Sequence, residues 1–263
     1  MKKTNRGIIA GGEIIGNIIL VKQVIKYCNE LNEEGAMILM DFKKAFDRVD
    51  REAMFEVLEQ MNFGPSFIAW IRMLYNDVTA AVEVNGHLTE QFMTGGGMRQ
   101  GCPLSPFLFI CVLELMACEI RQDQRIQGIT EPISGKSDKA TYFADDSGAF
   151  AKTSEEVGIL REDVSKFERA TGAALHDLKT TILKMGAMRT QELSKEDFGV
   201  EFEIMKDDAV ERYLGDLIGN QVDEEARFKQ GLVSMEQIGA TWHKKRELGC
   251  YGRAIIANTL LLS

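Results

Sequence analysis

The residues best suited to chemistry in this sequence are three aspartates. Asp41 closes the apolar run Ala36-Met37-Ile38-Leu39-Met40, and Asp145-Asp146 lie between the runs 140–143 and 147–151. An apolar run ended by an acid predicts a buried strand that delivers a carboxylate at its tip. The Asp-Asp pair predicts a tight turn between two strands. If these strands are neighbours in one antiparallel sheet, the carboxylates converge at one edge. Clustered carboxylates raise each other's pKa, and a divalent cation relieves that cost. Mg²⁺ takes one or two carboxylates together with water and substrate phosphates. Two such ions about 3.5–4 Å apart can activate an attacking hydroxyl and stabilise a leaving oxygen. The chemistry indicated is metal-assisted phosphoryl or nucleotidyl transfer. On spacing alone a plainer account stands beside it: Asp-Asp as an ordinary turn and Asp41 as a helix cap, since Asx residues favour turns for local reasons.

The elements that must position these acids follow from periodicity. Residues 12–31 recur at helical spacing through Ile14, Ile15, Ile18, Ile19, Val21, Val24 and Ile25. Asp50 can cap a helix over 51–61, and Pro65 can open another over 65–76. Residues 79–94 read as a hairpin about Asn85-Gly86, the pair that supplies two positive φ angles. Gly95-Gly96-Gly97 reads as a loop, and 104–121 as a long apolar helix. Thr153-Ser154-Glu155-Glu156 fits a capping box opening a helix to about Thr171. Strands are expected at 180–185 and 212–218, a mostly helical stretch at 223–248, and an apolar end at 253–262. Trp70 and Tyr75 are expected in the core. Strands and helices without regular βαβ alternation predict an α+β fold, an antiparallel sheet with helices on one face.

The 263 residues are 45% hydrophobic and 27% charged, an ordinary globular balance with enough apolar material for a sizeable core. The net charge of −9 and isoelectric point near 5.1 argue against a strong stand-alone grip on nucleic acid. A local basic groove beside acidic ligands remains compatible with them. The cysteines Cys28, Cys102, Cys111, Cys118 and Cys250 form no CxxC pair, which suits reduced thiols. His87, His176 and His243 are scattered and do not suggest a zinc site. The N-terminus lacks a secretory leader, and no apolar run reaches the roughly 18–20 residues of a membrane span. An intracellular, soluble protein without a membrane partner is expected.

Three strings carry a family resemblance: MDFKKAFDRVD at 40–50, GGGMRQGCPLSPFLF at 95–109 and YFADDSGAF at 142–150. In this order they resemble motifs A, B and C of the reverse transcriptases of non-LTR (LINE-type) retrotransposons. RQGCPLSP is the most specific part. AALHDLKTTIL at 173–183 is similar to motif D, RYLGDLIG at 212–219 to motif E, and 7–27 to the fingers segment before motif A. The resemblance covers about residues 7–220. It implies a polymerase palm at 36–220, a partial fingers segment at 1–35, and a helical region at 221–263 where a thumb would begin.

The resemblance implies an RNA-directed DNA polymerase. Asp41, Asp145 and Asp146 would be catalytic, and with the Phe42 carbonyl they would hold two Mg²⁺ ions, replaceable by Mn²⁺. Phe46 would pack under the sugar and reject a 2′-hydroxyl. Arg99 and Gln100 would lie near nucleotide and template, and Gly101 would allow close backbone approach. Lys179 would neutralise or protonate the leaving pyrophosphate. Tyr213, Leu214 and Gly215 would hold the primer terminus. Each position also has a structural account: Phe46 as a core ring, the glycines as a plain loop, Lys179 as a solvated strand-edge lysine, Tyr213 as packing. The partners implied are an RNA or DNA template with its primer, deoxynucleoside triphosphates, and a larger retrotransposon polyprotein. Retrotransposon chemistry suggests action in the nucleus, although Lys244-Lys245-Arg246 is only a short basic triplet.

The sequence departs from the pattern in places. The fingers segment has Gly11-Gly12 where the family carries Gly-Arg, followed by Gly16-Asn17, and His176 stands for the asparagine of motif D. The resemblance also leads us to expect that the fingers motifs upstream of residue 7, which would supply cationic side chains for the triphosphate, are missing. A second expectation is therefore a non-catalytic, truncated remnant that keeps the palm fold as a binding or structural module. Intact Asp41, Asp145, Asp146, Gln100 and Phe46 favour chemistry.

Overall fold

The computed structural model describes residues 14–130, 135, 137–143, 146–223, 225, 228, 229, 232, 233 and 236. Asp145, the fingers pair Gly11-Gly12, the stretch 253–262 and most of 223–248 lie outside the described residues. The chain divides into two compact units, Met1–Asn220 and Gln221–Ser263. The elements that follow all belong to the first.

In chain order the elements are α1 (Ile14–Leu31), β1 (Gly35–Met40), α2 (Ala45–Arg48), α3 (Arg51–Gln60) and α4 (Pro65–Tyr75). Four two-residue strands follow: β2 (Thr79–Ala80), β3 (Glu83–Val84), β4 (His87–Leu88) and β5 (Phe92–Met93). Then come α5 (Ser105–Gln122), β6 (Ile129–Thr130), β7 (Ser137–Asp138), β8 (Ala140–Phe143), β9 (Asp146–Ala151), α6 (Ser154–Thr171) and β10 (Thr181–Met185). A 3₁₀ turn (Gly186–Thr190), α7 (Lys195–Phe198), β11 (Glu203–Ile204), β12 (Glu211–Tyr213) and β13 (Asp216–Ile218) complete the unit.

The central sheet has five strands in the order β11-β10-β1-β9-β8, antiparallel except for the β10–β11 pair. β1 lies at its centre, and every one of its residues is buried. That explains its uninterrupted apolar sequence, because a strand covered on both faces has no polar side to alternate with. Ala36, Ile38 and Met40 join one core cluster, with residues of α3, α5 and α6. Met37 and Leu39 join a second, with Val21, Val24 and Cys28 of α1 and Tyr213 and Ile218 of the β12–β13 hairpin. Helices therefore cover both faces of the sheet, not one as expected. The broad apolar surface of α1 supplies the second layer.

Local signals act mostly as their chemistry dictates. The Asp50 carboxylate accepts from the Ala53 N–H at 2.9 Å and opens α3. Pro65 stands in the first turn of α4. At α6 only half of the capping box forms. Thr153 accepts from the Glu156 N–H, but the Glu156 carboxylate turns away, to the N–H groups of Lys152, Gln127 and Gly128. Trp70 corrects an expectation: it is 70% exposed, while Ile68, Ile71 and Tyr75 face inward from α4. The inward stripe follows helical spacing, and Trp70 falls outside it.

The 79–94 hairpin forms as two short ladders, β2–β5 and β3–β4, about Asn85 and Gly86, both at positive φ. Residue 212–218, expected as one strand, is a hairpin. Leu214 (φ 53°) and Gly215 (φ 85°) make its turn. A leucine at the first position does not announce a turn, so only Gly215 marks the reversal in the sequence.

Candidate active site

The sheet brings the acids together by register. Met40 pairs with Ser147 at the end of the β1–β9 ladder. One step further, the same register sets Asp41 opposite Asp146. Strand alternation places both side chains on the α1 face, since Ile38, Met40 and Phe42 all turn to the other cluster. Asp41 is half-buried and Asp146 exposed. The third acid, Asp145, falls in sequence between β8 and β9, outside the described residues.

The segment after β1 is held by the chain that precedes β10. The Asp41 N–H donates to Thr180 Oγ1 at 3.3 Å. The Asp41 carbonyl accepts from the His176 N–H at 2.7 Å, and the Lys43 N–H donates to the Ala174 carbonyl at 2.8 Å. Phe42 thereby forms a bridge with Leu175 in which its own carbonyl takes no part. In an antiparallel bridge of this type that carbonyl points away from the partner chain, toward the β9 side where Asp146 begins. Two carboxylates and a carbonyl at one sheet end make a hard oxygen donor set that fits Mg²⁺ or Mn²⁺. Among the described residues no group of three acidic, histidine or cysteine side chains forms a metal cage.

Asp41 and Asp146 line a cavity of about 390 Å³ together with Ser147, Lys179, Thr181, Arg212 and Tyr213. Lys179 is exposed, so a cationic head can reach an anion there. Tyr213 is only 4% exposed and packs with the second core cluster. Burial pushes its phenol up to about 12.

A second group forms around the glycine loop. Phe46 is half-buried, with its ring 4.8 Å from that of Phe109. Its carbonyl accepts from the Met98 N–H at 2.7 Å. Gln100 Nε2 donates to Asp47 Oδ1 at 2.8 Å, and Arg99 donates to the Leu74 carbonyl at 3.3 Å. Gly101 has φ 78°, and a Cβ there would meet nothing within 4 Å. Arg99, Gln100, Asp47 and Arg51 line a cavity of about 480 Å³. Phe46, Arg99 and Gln100 are thus gathered about the loop, and Asp41, Asp146, Lys179 and Tyr213 about the sheet end.

Sequence reading missed Arg51 and Asp47. The Arg51 guanidinium donates to the carbonyls of Thr94, Gly96 and Gly97 and to the Thr94 hydroxyl. It also lies 5.4 Å from the Tyr75 ring centre. An arginine one residue past a helix cap reads as a surface cation, and only the fold reveals that it clamps the loop. Asp47 lies one residue past Phe46 with no local sign of its partner 53 residues away.

Comparison with known proteins gives this arrangement its class. The model of the family Reverse transcriptase (RNA-dependent DNA polymerase) matches residues 2–216. The fold resembles telomerase from Candida albicans, solved with a fragment of telomeric RNA, at TM-score 0.51 and 13% identity over 73% of this chain and 32% of that one. Apo telomerase from Candida tropicalis gives TM-score 0.50 and 15% identity over 78% and 38%. The chain has the α+β palm-type polymerase fold and belongs to the reverse transcriptase family.

Its relatives narrow the class to the one expected from the motifs, the reverse transcriptase domain of non-LTR retrotransposons. The chain is 26% identical over 97% of its length to the transposon TX1 uncharacterized 149 kDa protein of Xenopus laevis. It is 26% identical over 65% of its length to the Pol polyprotein of the R2 retrotransposable element of Popillia japonica. It is 23% identical over 65% to that of R2DM of Drosophila melanogaster. The chain spans 19%, 24% and 16% of those relatives' lengths. No helix among the described residues is long and apolar enough to cross a membrane.

Proposed function

We propose that this chain is an RNA-directed DNA polymerase domain that joins deoxynucleotides to a primer 3′-hydroxyl on an RNA or DNA template. The observation that carries the reading is the convergence of Asp41 and Asp146 at one end of the sheet, in a chain of the reverse transcriptase family. Asp41, Asp146, Asp145 and the Phe42 carbonyl would hold two Mg²⁺ ions, with Mn²⁺ able to substitute. When bound, the ions would supply Lewis-acid activation of the primer hydroxyl and neutralise phosphate charge.

The remaining roles belong to the chain's own side chains. Lys179, in the same cavity as Asp41 and Asp146, would offer charge or a proton to the leaving pyrophosphate. Phe46, backed by Phe109, would form a wall beneath the sugar that leaves no room for a 2′-oxygen. Arg99 and Gln100, with Gly101 allowing close approach, would meet nucleotide and template. Tyr213, Leu214 and Gly215 would hold the primer end, with buried Tyr213 anchoring the turn that Leu214 and Gly215 make. We assign residues 36–220 to the palm, 1–35 to part of the fingers and 221–263 to the start of a thumb. The domain would work within a longer retrotransposon polyprotein.

Primer extension tests the reading. The purified chain, given a primed RNA template, deoxynucleotides and Mg²⁺, should lengthen the primer. A folded, monodisperse sample that adds no nucleotide with Mg²⁺ or Mn²⁺ contradicts it.

A further inference from the structure

Asp47 follows Phe46 in the short helix α2, beside the glycine loop. Backbone bonds fix its place there. The Gly97 N–H donates to the Val49 carbonyl at 3.1 Å, and the Met98 N–H donates to the Phe46 carbonyl at 2.7 Å. Gly97 lies so close that a Cβ on it would come within 2.6 Å of the Asp47 carbonyl oxygen. The Asp47 carboxylate is thus held in front of Gln100 by the main chain, and the 2.8 Å side-chain bond is a consequence of that placement.

A glutamine amide carries a donor NH₂ and an acceptor oxygen of nearly the same shape, and its partners decide which faces which way. An ionised aspartate can only accept. Asp47 therefore selects the nitrogen of Gln100 and turns Oε1 to the opposite side. Without that partner the exposed amide can rotate half a turn and present either group.

We propose that Asp47 is a positioning residue that sets the Gln100 amide so that Oε1 accepts a hydrogen bond from the incoming nucleotide. The proposal rests on the polymerase reading above. It assigns no contact between Asp47 and substrate; Asp47 acts through Gln100.

The test is steady-state addition of one deoxynucleotide by the wild-type chain, Asp47→Ala and Asp47→Glu. Alanine removes the acceptor, whereas glutamate keeps an acceptor-only carboxylate within reach of the amide. Asp47→Ala should raise KM for the nucleotide about five- to tenfold with kcat within about twofold, the pattern of a lost binding interaction. Asp47→Glu should return KM to within about twofold of wild type. The side-chain amide resonance of Gln100, assigned by its disappearance in Gln100→Met, should move in Asp47→Ala and stay near its original position in Asp47→Glu. Unchanged KM in Asp47→Ala, or Asp47→Glu as impaired as Asp47→Ala, overturns the proposal, as does an amide resonance that ignores Asp47→Ala. If the wild-type chain adds no nucleotide, the polymerase reading fails and the proposal with it, and the resonance then reports the contact alone.

Discussion

Met40 and Ser147 are register partners at the end of the ladder between the two central strands. The acids that follow and precede them, Asp41 and Asp146, consequently leave adjacent strands at the same sheet end. Directly opposed residues of antiparallel strands lie about 4.5–5.5 Å apart at Cα, close enough for carboxylates to share a cation and to repel each other without one.

Metal should therefore stabilise the fold. At a concentration ten times its dissociation constant, Mg²⁺ or Mn²⁺ should add about 1.4 kcal/mol, or roughly 2–4 °C in melting temperature for a chain of this size. Chelation should reverse the gain, and Asp146→Asn should remove most of it. Calorimetry with and without Mn²⁺ checks this, and an equal shift in Asp146→Asn would place the metal elsewhere.

Phe46→Ala should relax sugar selection. Ribonucleotide incorporation relative to deoxynucleotide should rise by about tenfold or more, as a one-atom steric exclusion of 1–3 kcal/mol is lost. The loss of packing against Phe109 should also lower stability, by about 1–3 kcal/mol. A destabilised variant with unchanged sugar preference would return Phe46 to a core role alone.

Arg51→Lys should loosen the glycine loop. Lysine cannot reproduce the planar fork that reaches Thr94, Gly96 and Gly97 together. Limited proteolysis should cut within 94–101 several times faster than in wild type. Cleavage at the wild-type rate would show that backbone bonds alone hold the loop.

Stability should fall on the alkaline side. Burial raises the Cys28 thiol from 9.0 to about 11 and the Tyr213 phenol from 10.0 to about 12. In both cases the folded chain keeps a proton that the unfolded chain releases earlier. Their contribution is intact below about pH 9 and is lost as pH rises through 11 and 12. Denaturant midpoints measured between pH 8 and 11 should decline, and less steeply in Cys28→Ala with Tyr213→Phe. Parallel curves for the two proteins would assign the decline to other groups.

Much of the frame is legible in the residues themselves. The all-apolar β1, the Asp50 cap, the Asn85-Gly86 turn and the helices of the core each follow from a local rule that packing reinforces. What escapes is non-local. The second helical layer depends on which face α1 finds, and Trp70 is expelled because Ile68, Ile71 and Tyr75 claim the inner stripe. The Leu214-Gly215 reversal lacks a turn signature at its first position. Arg51 and Asp47 acquire meaning only when the 95–101 loop folds back on α2 and α3. Motif strings point to Phe46 and Gln100 individually, but nothing local tells that Asp47 joins them.

The most direct measurement is single-nucleotide addition to a primed RNA template in Mg²⁺ by the wild-type chain beside Asp41→Asn and Asp146→Asn. Each substitution removes one charge at nearly constant volume, so both variants should fold, and should melt like wild type when divalent metal is chelated. The account predicts extension by the wild type and a loss of at least about 10³-fold in each variant. Extension by either variant at the wild-type rate would contradict it.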